Sequence, residues 1–364
     1  MHILAIETSC DETSAAVVKD GTEVLSNVIA SQNEFHAKYG GIVPEIASRK
    51  HVEHISPVIK EAMDISGKLF KDLDAIAVTF GPGLPGSLIV GVSAAKAFSY
   101  SLKKPLIGVN HLEGHIYANF LVNSLPSKPL TSHASHLTPS FPFICLIVSG
   151  GHTQLVLVKG HCEYETLGRT RDDAAGEAYD KVARFLDLGY PGGPIIDRLS
   201  AEGDPSAVDF TRPMLEDGYD FSFSGIKTAV VYYMKKNFPS GLPSPCQGRG
   251  AGGEGFIGEG LGISAADIAA SFQRTVVETL VMKTIAAAKD SGVKTVAIGG
   301  GVSANSALRR MMKEEAEKNG MECIIPPFIL CTDNAAMIGC AAYYRYQKGL
   351  VSGPDLSIGS TARL

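Results

Sequence analysis

His2-Ile3-Leu4-Ala5-Ile6-Glu7-Thr8-Ser9-Cys10-Asp11-Glu12-Thr13-Ser14-Ala15-Ala16-Val17-Val18 opens the chain and decides its architecture. Ile3 to Ile6 is an apolar run too short for a helix and reads as a buried strand. The polar turn Glu7 to Thr13 follows, then a second strand at Ser14 to Val18. Asp20-Gly21 is a hairpin signal, and a third strand covers Glu23 to Ile29. Beyond it the pattern becomes helical from Val43 to Ile65. Next come strand Ala75 to Thr79, the glycine turn Gly81-Pro82-Gly83-Leu84-Pro85-Gly86, an apolar helix from Ser87 to about Ser101, and strand Leu106 to Val109. The same series restarts at Phe143. Ile144 to Val148 is a strand, Ser149-Gly150-Gly151-His152 a tight turn, and Thr153 to Val158 a returning strand. A long helix from Ser264 to Lys289 has a capping-box start in Ser264 and Asp267, and strand Thr295 to Ile298 leads through a glycine turn to a helix from Ser303. Strand, turn, returning strand and then strand–helix alternation, twice over, predict two similar α/β domains with mixed sheets and a cleft between them.

The chain has 364 residues, 45% hydrophobic and 20% charged, with a formal net charge of −5. That size suits two domains with ample cores. The acidic balance excludes wholesale electrostatic attraction to nucleic acid, so any RNA contact needs a local patch or a partner protein. The seven cysteines contain no C-x-x-C pair, as expected of reduced cytosolic thiols. The start lacks the basic segment of a signal peptide, and no apolar run approaches the roughly 20 residues of a membrane span. A cytoplasmic protein without membrane association is expected. Ser124 to Pro142, rich in Ser, Pro and His, reads as an interdomain linker in which His133 and His136 are solvated. Pro239 to Gly262 reads as a flexible glycine-rich insertion.

Strand Leu106 to Val109 leads directly to His111-Leu112-Glu113-Gly114-His115. Two histidines four apart on a helix point the same way and can grip one metal ion, although two ordinary surface histidines produce the same spacing. Glu113 sits about 200° around the helix from His111, on the opposite face. In the zinc-protease motif the glutamate directly follows the first histidine, so no protease base is built into this helix. Asp333, in Cys331-Thr332-Asp333-Asn334, either caps a helix or completes a His-His-Asp metal site with an open position. Ile147-Val148-Ser149-Gly150-Gly151-His152 and Ile298-Gly299-Gly300-Gly301-Val302-Ser303-Ala304-Asn305 place glycines at strand ends, where amide groups can approach an anion closely. Asn305 either reads a ribose or adenine edge or belongs to a turn capped by Ser303. Asp172 and Asp173 suit a helix N-terminus. Asp180 lies deeper in that helix and is followed by the close-approach turn Tyr190-Pro191-Gly192-Gly193-Pro194 and by Asp197. Arg309, Arg310 and Lys313 are either a contact for RNA or a solvated helix face.

Taken in order, Glu7–Thr13, Gly81–Leu84, His111–His115, Val148–Thr153, Asp173–Ala178, Tyr190–Pro194, Phe221-Ser222-Phe223-Ser224-Gly225-Ile226-Lys227, Gly300–Asn305 and Cys331–Asn334 closely resemble the bacterial tRNA adenosine threonylcarbamoyltransferase family. The resemblance spans essentially the whole chain. It implies two ribonuclease-H-like domains of the actin/sugar-kinase/heat-shock-ATPase superfamily around a nucleotide cleft. The implied division is 1–123, a linker at 124–142, 143–330 with the insertion at 239–262, and a segment 331–364 returning to the first domain. It implies transfer of a threonylcarbamoyl group from threonylcarbamoyl-AMP to the exocyclic amine of the adenine 3′ of the anticodon in tRNAs reading ANN codons. The residues matching the family's metal ligands are His111, His115 and Asp333, for one divalent ion, iron or zinc with iron favoured. Those matching its acyl-adenylate contacts are Ile147, Val148, Ser149, Gly150, Gly151, Asp180, Gly193, Asp197 and Asn305. Asp11 matches the residue that acts on the attacking amine. The implied partners are tRNA, a separate synthase that makes threonylcarbamoyl-AMP, a paralogous dimerisation subunit and a small P-loop ATPase. The rival readings are a metalloprotease, a carbamoyltransferase for a small molecule or protein, and a non-catalytic ATPase-like scaffold.

Overall fold

Strand β1 (His2–Glu7) is buried along both faces from Ile3 onward, which is why it reads as an unbroken apolar run. This computed structural model describes residues 1–121, 138–238 and 263–364. His133, His136 and the glycine-rich insertion lie outside those residues, as does most of the expected linker. β1 is followed by β2 (Glu12–Lys19) and β3 (Glu23–Ser31). Asp20 and Gly21 join β2 to β3 with φ of 49° and 73°, the paired positive values of the tightest hairpin turn. Next come α1 (Asn33–Ala37), α2 (Pro44–Ser66), β4 (Ala75–Gly81), α3 (Pro85–Leu102), β5 (Leu106–Asn110) and α4 (His111–Tyr117). The second half carries β6 (Phe143–Val148), β7 (Thr153–Gly160), β8 (Glu163–Arg169), α5 (Ala175–Phe185), α6 (Gly192–Ser200), α7 (Ser224–Asn237) and α8 (Ala265–Asp290). It closes with β9 (Thr295–Gly299), α9 (Ser306–Lys318), β10 (Glu322–Ile324), α10 (Phe328–Cys331) and α11 (Ala335–Gln347).

The strand orders are β3-β2-β1-β4-β5 and β10-β9-β6-β7-β8. In each sheet the first strand pairs antiparallel with the second and parallel with the fourth, so the repeat read from the sequence is a repeat of topology. This is the sheet topology expected of two ribonuclease-H-like domains.

Alternation along the central strands builds three layers. Leu4 and Ile6 of β1 pack with Ile55, Ile59 and Ala62 of α2 and Val92 of α3. Ile3 and Ala5 point the other way and share a core with α4 and α11. Cys145 and Ile147 of β6 reach that same middle core, whereas Ile144, Leu146 and Val148 join Ala178, Val182, Phe272 and Val276 of α5 and α8. Helices α4 and α11 therefore lie between the two sheets. Each fully buried Ile or Leu contributes about 1.5–3 kcal/mol, so this shared layer fixes the relation of the two halves. After α11 the chain packs back on the first sheet: Ser352 donates to the Leu106 carbonyl at 2.8 Å and Gly359 to that of Phe80 at 2.8 Å. Among the described residues, no helix is long and apolar enough to cross a membrane.

Candidate active site

Helix α4 starts where β5 ends, because Asn110 accepts the Leu112 N–H at 2.9 Å and caps it. Two turns suffice to set the His111 and His115 rings side by side, centroids 4.6 Å apart. Asp333 arrives at the same point, its Oδ1 3.5 Å from His111 Nε2 and 3.3 Å from His115 Nε2. The three offer one ligand atom each within 4.8 Å of one another. The alternative of Asp333 as a helix cap falls away, because Asn334 caps α11 by accepting the Met337 N–H at 3.0 Å. Both ring nitrogens of His115 are buried without a hydrogen-bond partner; the 3.3 Å approach of Asp333 lacks hydrogen-bond alignment. A cation at the convergence point would give Nε2 of that ring a partner, and two imidazoles with a carboxylate suit zinc or ferrous iron.

Glu7 belongs to the site, and the sequence reading gave it no role. Its carboxylate is fully buried, accepts Thr79 Oγ1 at 2.6 Å and the Ser9 N–H, and meets His111 Nδ1 at 3.0 Å. Ser9 Oγ lies 3.1 Å from the same nitrogen. This holds the proton on Nδ1 and aims Nε2 at Asp333. A glutamate closing an otherwise apolar strand was the available signal, since a buried carboxylate requires partners.

Burial alone would depress His111, but Asp333 and then Glu7 outweigh it and lift the imidazole to about 9. Burial opposes the charge of Asp333, yet His111 and His115 hold its carboxyl at about 2. His115 is pushed down by burial against the pull of Asp333, with the charge of His111 adding to the drop. Burial and the two histidines push nearby His152 to about 4.

Two glycine loops flank these ligands. Ser149 donates to the His152 carbonyl at 2.8 Å and closes the β6–β7 turn, while its own carbonyl accepts the Gly176 N–H of α5 at 3.2 Å. Gly300 has φ +91°, and any side chain there would collide with the Val148 carbonyl. A Cβ on Gly299 would come within 2.5 Å of the His115 carbonyl. Both loops and the histidine helix therefore touch. At Gly150, Gly151 and Gly193 a Cβ would meet nothing within 4 Å, so the packing of the chain itself does not require glycine there. Ile147 and Val148 send their side chains into the cores, which leaves main-chain groups as what they can offer a ligand.

Asp180 accepts the Gly192 N–H at 2.8 Å, and burial raises its carboxyl against the amides of Gly192 and Gly193. The charge of Asp11, buried in the β1–β2 turn, reinforces that rise. Half-buried Glu12 is held well above the usual carboxylate range by burial, then Asp11, then Asp333. Asp197 accepts Ser306 N at 3.1 Å and Ser306 Oγ at 2.8 Å, fastening α6 to the start of α9. The cap of α9 is Asn305 rather than Ser303: its Oδ1 accepts the Leu308 N–H at 2.9 Å and its Nδ2 donates to Gln273 Oε1 at 2.7 Å.

Two further readings change. Asp172 serves another helix than the one it precedes, accepting the N–H groups of Phe223 and Ser224 at 2.9 and 3.2 Å at the start of α7. Arg309 is engaged internally, donating to the carbonyls of Ser303 and Pro326 with its guanidinium 4.3 Å from the centre of the Phe328 ring; Arg310 and Lys313 are exposed. Glu113 faces away from the metal ligands and accepts Tyr164 Oη at 2.8 Å and Arg345 Nη1 at 3.0 Å, so it does not serve as a protease base beside them.

Comparison with known proteins places the chain in a family. The profile of the family described as tRNA N6-adenosine threonylcarbamoyltransferase matches residues 23–340. A protein of that name from Clostridium botulinum (strain 657 / Type Ba4) is 52% identical over 358 residues, covering 98% of this chain and 96% of its own. Another from Symbiobacterium thermophilum is 51% identical over 355 residues, covering 98% and 94%. Among solved structures, HypF from T. kodakarensis matches with a TM-score of 0.60 at 15% identity, over 98% of this chain and 50% of that one, a likeness of fold alone. The chain belongs to the tRNA N6-adenosine threonylcarbamoyltransferase family.

Proposed function

We propose that the chain transfers the threonylcarbamoyl group of threonylcarbamoyl-AMP to the exocyclic amine of the adenine 3′ of the anticodon in tRNAs reading ANN codons, releasing AMP. The observation that carries this reading is the meeting of His111, His115 and Asp333 beside two mutually packed glycine loops. An adenine amine is a weak nucleophile, its lone pair being delocalised into the ring, so the acyl donor must be activated. In the transfer the amine nitrogen bonds to the carbamoyl carbon, the carbon–oxygen bond to phosphate breaks, and AMP departs with the electron pair. One divalent ion on His111, His115 and Asp333, iron favoured over zinc, supplies Lewis-acid polarisation and a template for donor oxygens when bound.

The main chain of Ile147 to Ser149, with Gly150, Gly151 and Gly193, admits the adenylate closely, and the open space at these glycines supports that role. Asp180, Asp197 and Asn305 complete the cradle, and Asp11 takes or holds the proton of the attacking amine. Fixing donor and amine together supplies the proximity term of catalysis. The units 1–123 and 143–330 are proposed to form the two walls, with 331–364 returning to the first. With a net charge of −5 and Arg309 engaged internally, tRNA docking calls for a composite surface. The proposed partners are the synthase of the acyl-adenylate, a paralogous dimerisation subunit and a small P-loop ATPase, in the cytoplasm. Purified chain given threonylcarbamoyl-AMP and unmodified tRNA, with those subunits, should form threonylcarbamoyladenosine, and Asp11→Ala should slow it by about 10²–10⁴-fold. Asp11→Ala at the parent rate refutes the role of Asp11; acylation of a small amine or protein in place of tRNA refutes the substrate.

A further inference from the structure

The face of α4 that turns away from the metal ligands is as heavily built as the face that carries them. A seven-residue helix with Gly114 at its centre does not hold its own shape in water, so its geometry comes from what it touches. Gly114 lets it lie flush on α11, since a Cβ there would come within 2.7 Å of Ile338 Cδ1. About 200° around the helix from the histidine face, Glu113 is only 1% exposed and both of its oxygens are bound. Oε2 receives Arg345 Nη1 from α11 at 3.0 Å, and Oε1 receives Tyr164 Oη from β8 at 2.8 Å. On the same side Tyr117 Oη accepts the Cys162 N–H at 3.3 Å, from the turn that precedes β8.

One partner comes from α11, which packs on the first sheet, and the other from the second sheet itself. Arg345 stands near the end of α11, the helix whose start follows Asp333 directly, so the element beside the third ligand also anchors the helix carrying the first two. Tyr164 belongs to the edge strand of the second sheet. A buried ion pair of this kind adds little net stability compared with well-packed apolar side chains, and its use is to fix one arrangement. We propose that Glu113 is a positioning residue that locks α4 to α11 through Arg345 and to the second sheet through Tyr164, holding the His111 and His115 imidazoles over Asp333. The inference rests on the metal site proposed above.

The test is titration of metal-free full-length protein with Co2+, reading affinity and the visible absorption bands of the bound ion. The variants are Tyr164→Phe and Tyr164→Phe/Arg345→Met, each checked for native circular dichroism. Lys348→Ala is the control, since Lys348 bridges the same two elements through Glu163 at the surface. The expected result is a 10- to 100-fold weaker Co2+ affinity with altered bands in the double variant, a smaller loss in Tyr164→Phe, and none in the control. If the double variant does not fold, Tyr164→Phe decides, since it removes one hydroxyl from a half-buried ring. Parent affinity and an unchanged spectrum in the folded variants overturn the clamp. A parent protein that binds no Co2+ overturns the metal site itself, a distinguishable failure.

Discussion

Replacing Glu7 with glutamine tests how the site is oriented. The carboxylate accepts from Ser9 N through Oε1 and from Thr79 Oγ1 and His111 Nδ1 through Oε2. An amide supplies one acceptor oxygen and one pair of N–H donors. If its oxygen faces Thr79 and His111, its NH2 opposes the Ser9 N–H; in the other orientation it opposes His111 and forces the ring proton onto Nε2, the nitrogen that should bind metal. Either way one buried donor loses its partner, a cost of about 1–3 kcal/mol to the metal-free fold. Loss of the group that orients the ligand should weaken metal binding about 10- to 100-fold. The assays are urea unfolding of the metal-free protein and competition for Co2+ against a chromogenic chelator. Since Glu7 also helps to lift His111 to about 9, the competition is run above that pH, where a proton no longer contends for the ring. Glu7→Gln with unchanged stability and Co2+ affinity within twofold of the parent would refute the reasoning.

Because His111 is lifted to about 9, metal binding at pH 7 should release about one proton, and apparent affinity should rise about tenfold per pH unit up to about pH 9; calorimetry in two buffers of different ionisation enthalpy reads this directly. Gly300→Ala should destabilise by more than about 1 kcal/mol, because φ +91° and the Val148 carbonyl both oppose a side chain, whereas Gly151→Ala should leave the melting temperature unchanged and weaken threonylcarbamoyl-AMP binding. Asp172→Ala should cost about 0.5–2 kcal/mol in urea unfolding by uncapping α7, with Co2+ affinity unchanged.

The sheets were legible because their central strands are buried on both faces, so Ile3 to Ile6 and Ile144 to Val148 announce themselves by composition. Ser264 with Asp267 announced a helix start for an equally local reason: the capping box closes within one turn. Strand β8 was not legible. It is an edge strand carrying Glu163, Glu165 and Arg169, and edges take charge where central strands take apolar side chains. The histidine pair was visible in its spacing, while Glu7 was not, because its value depends on β1, β4 and α4 converging. The same holds for Asp172, whose charge looked local and serves a helix far along the chain. The sequence reading gave the cap of this turn to Ser303, and the placement of Asn305 at the cap depends on its bonds to the Leu308 N–H and to Gln273 on α8, a contact far along the chain.

Nucleoside mass spectrometry of tRNA from cells depleted of this protein tests the central claim most directly. The account predicts that threonylcarbamoyladenosine falls in tRNAs reading ANN codons and returns with the parent gene but not with a His111→Ala/His115→Ala variant. Unchanged threonylcarbamoyladenosine after depletion would contradict it.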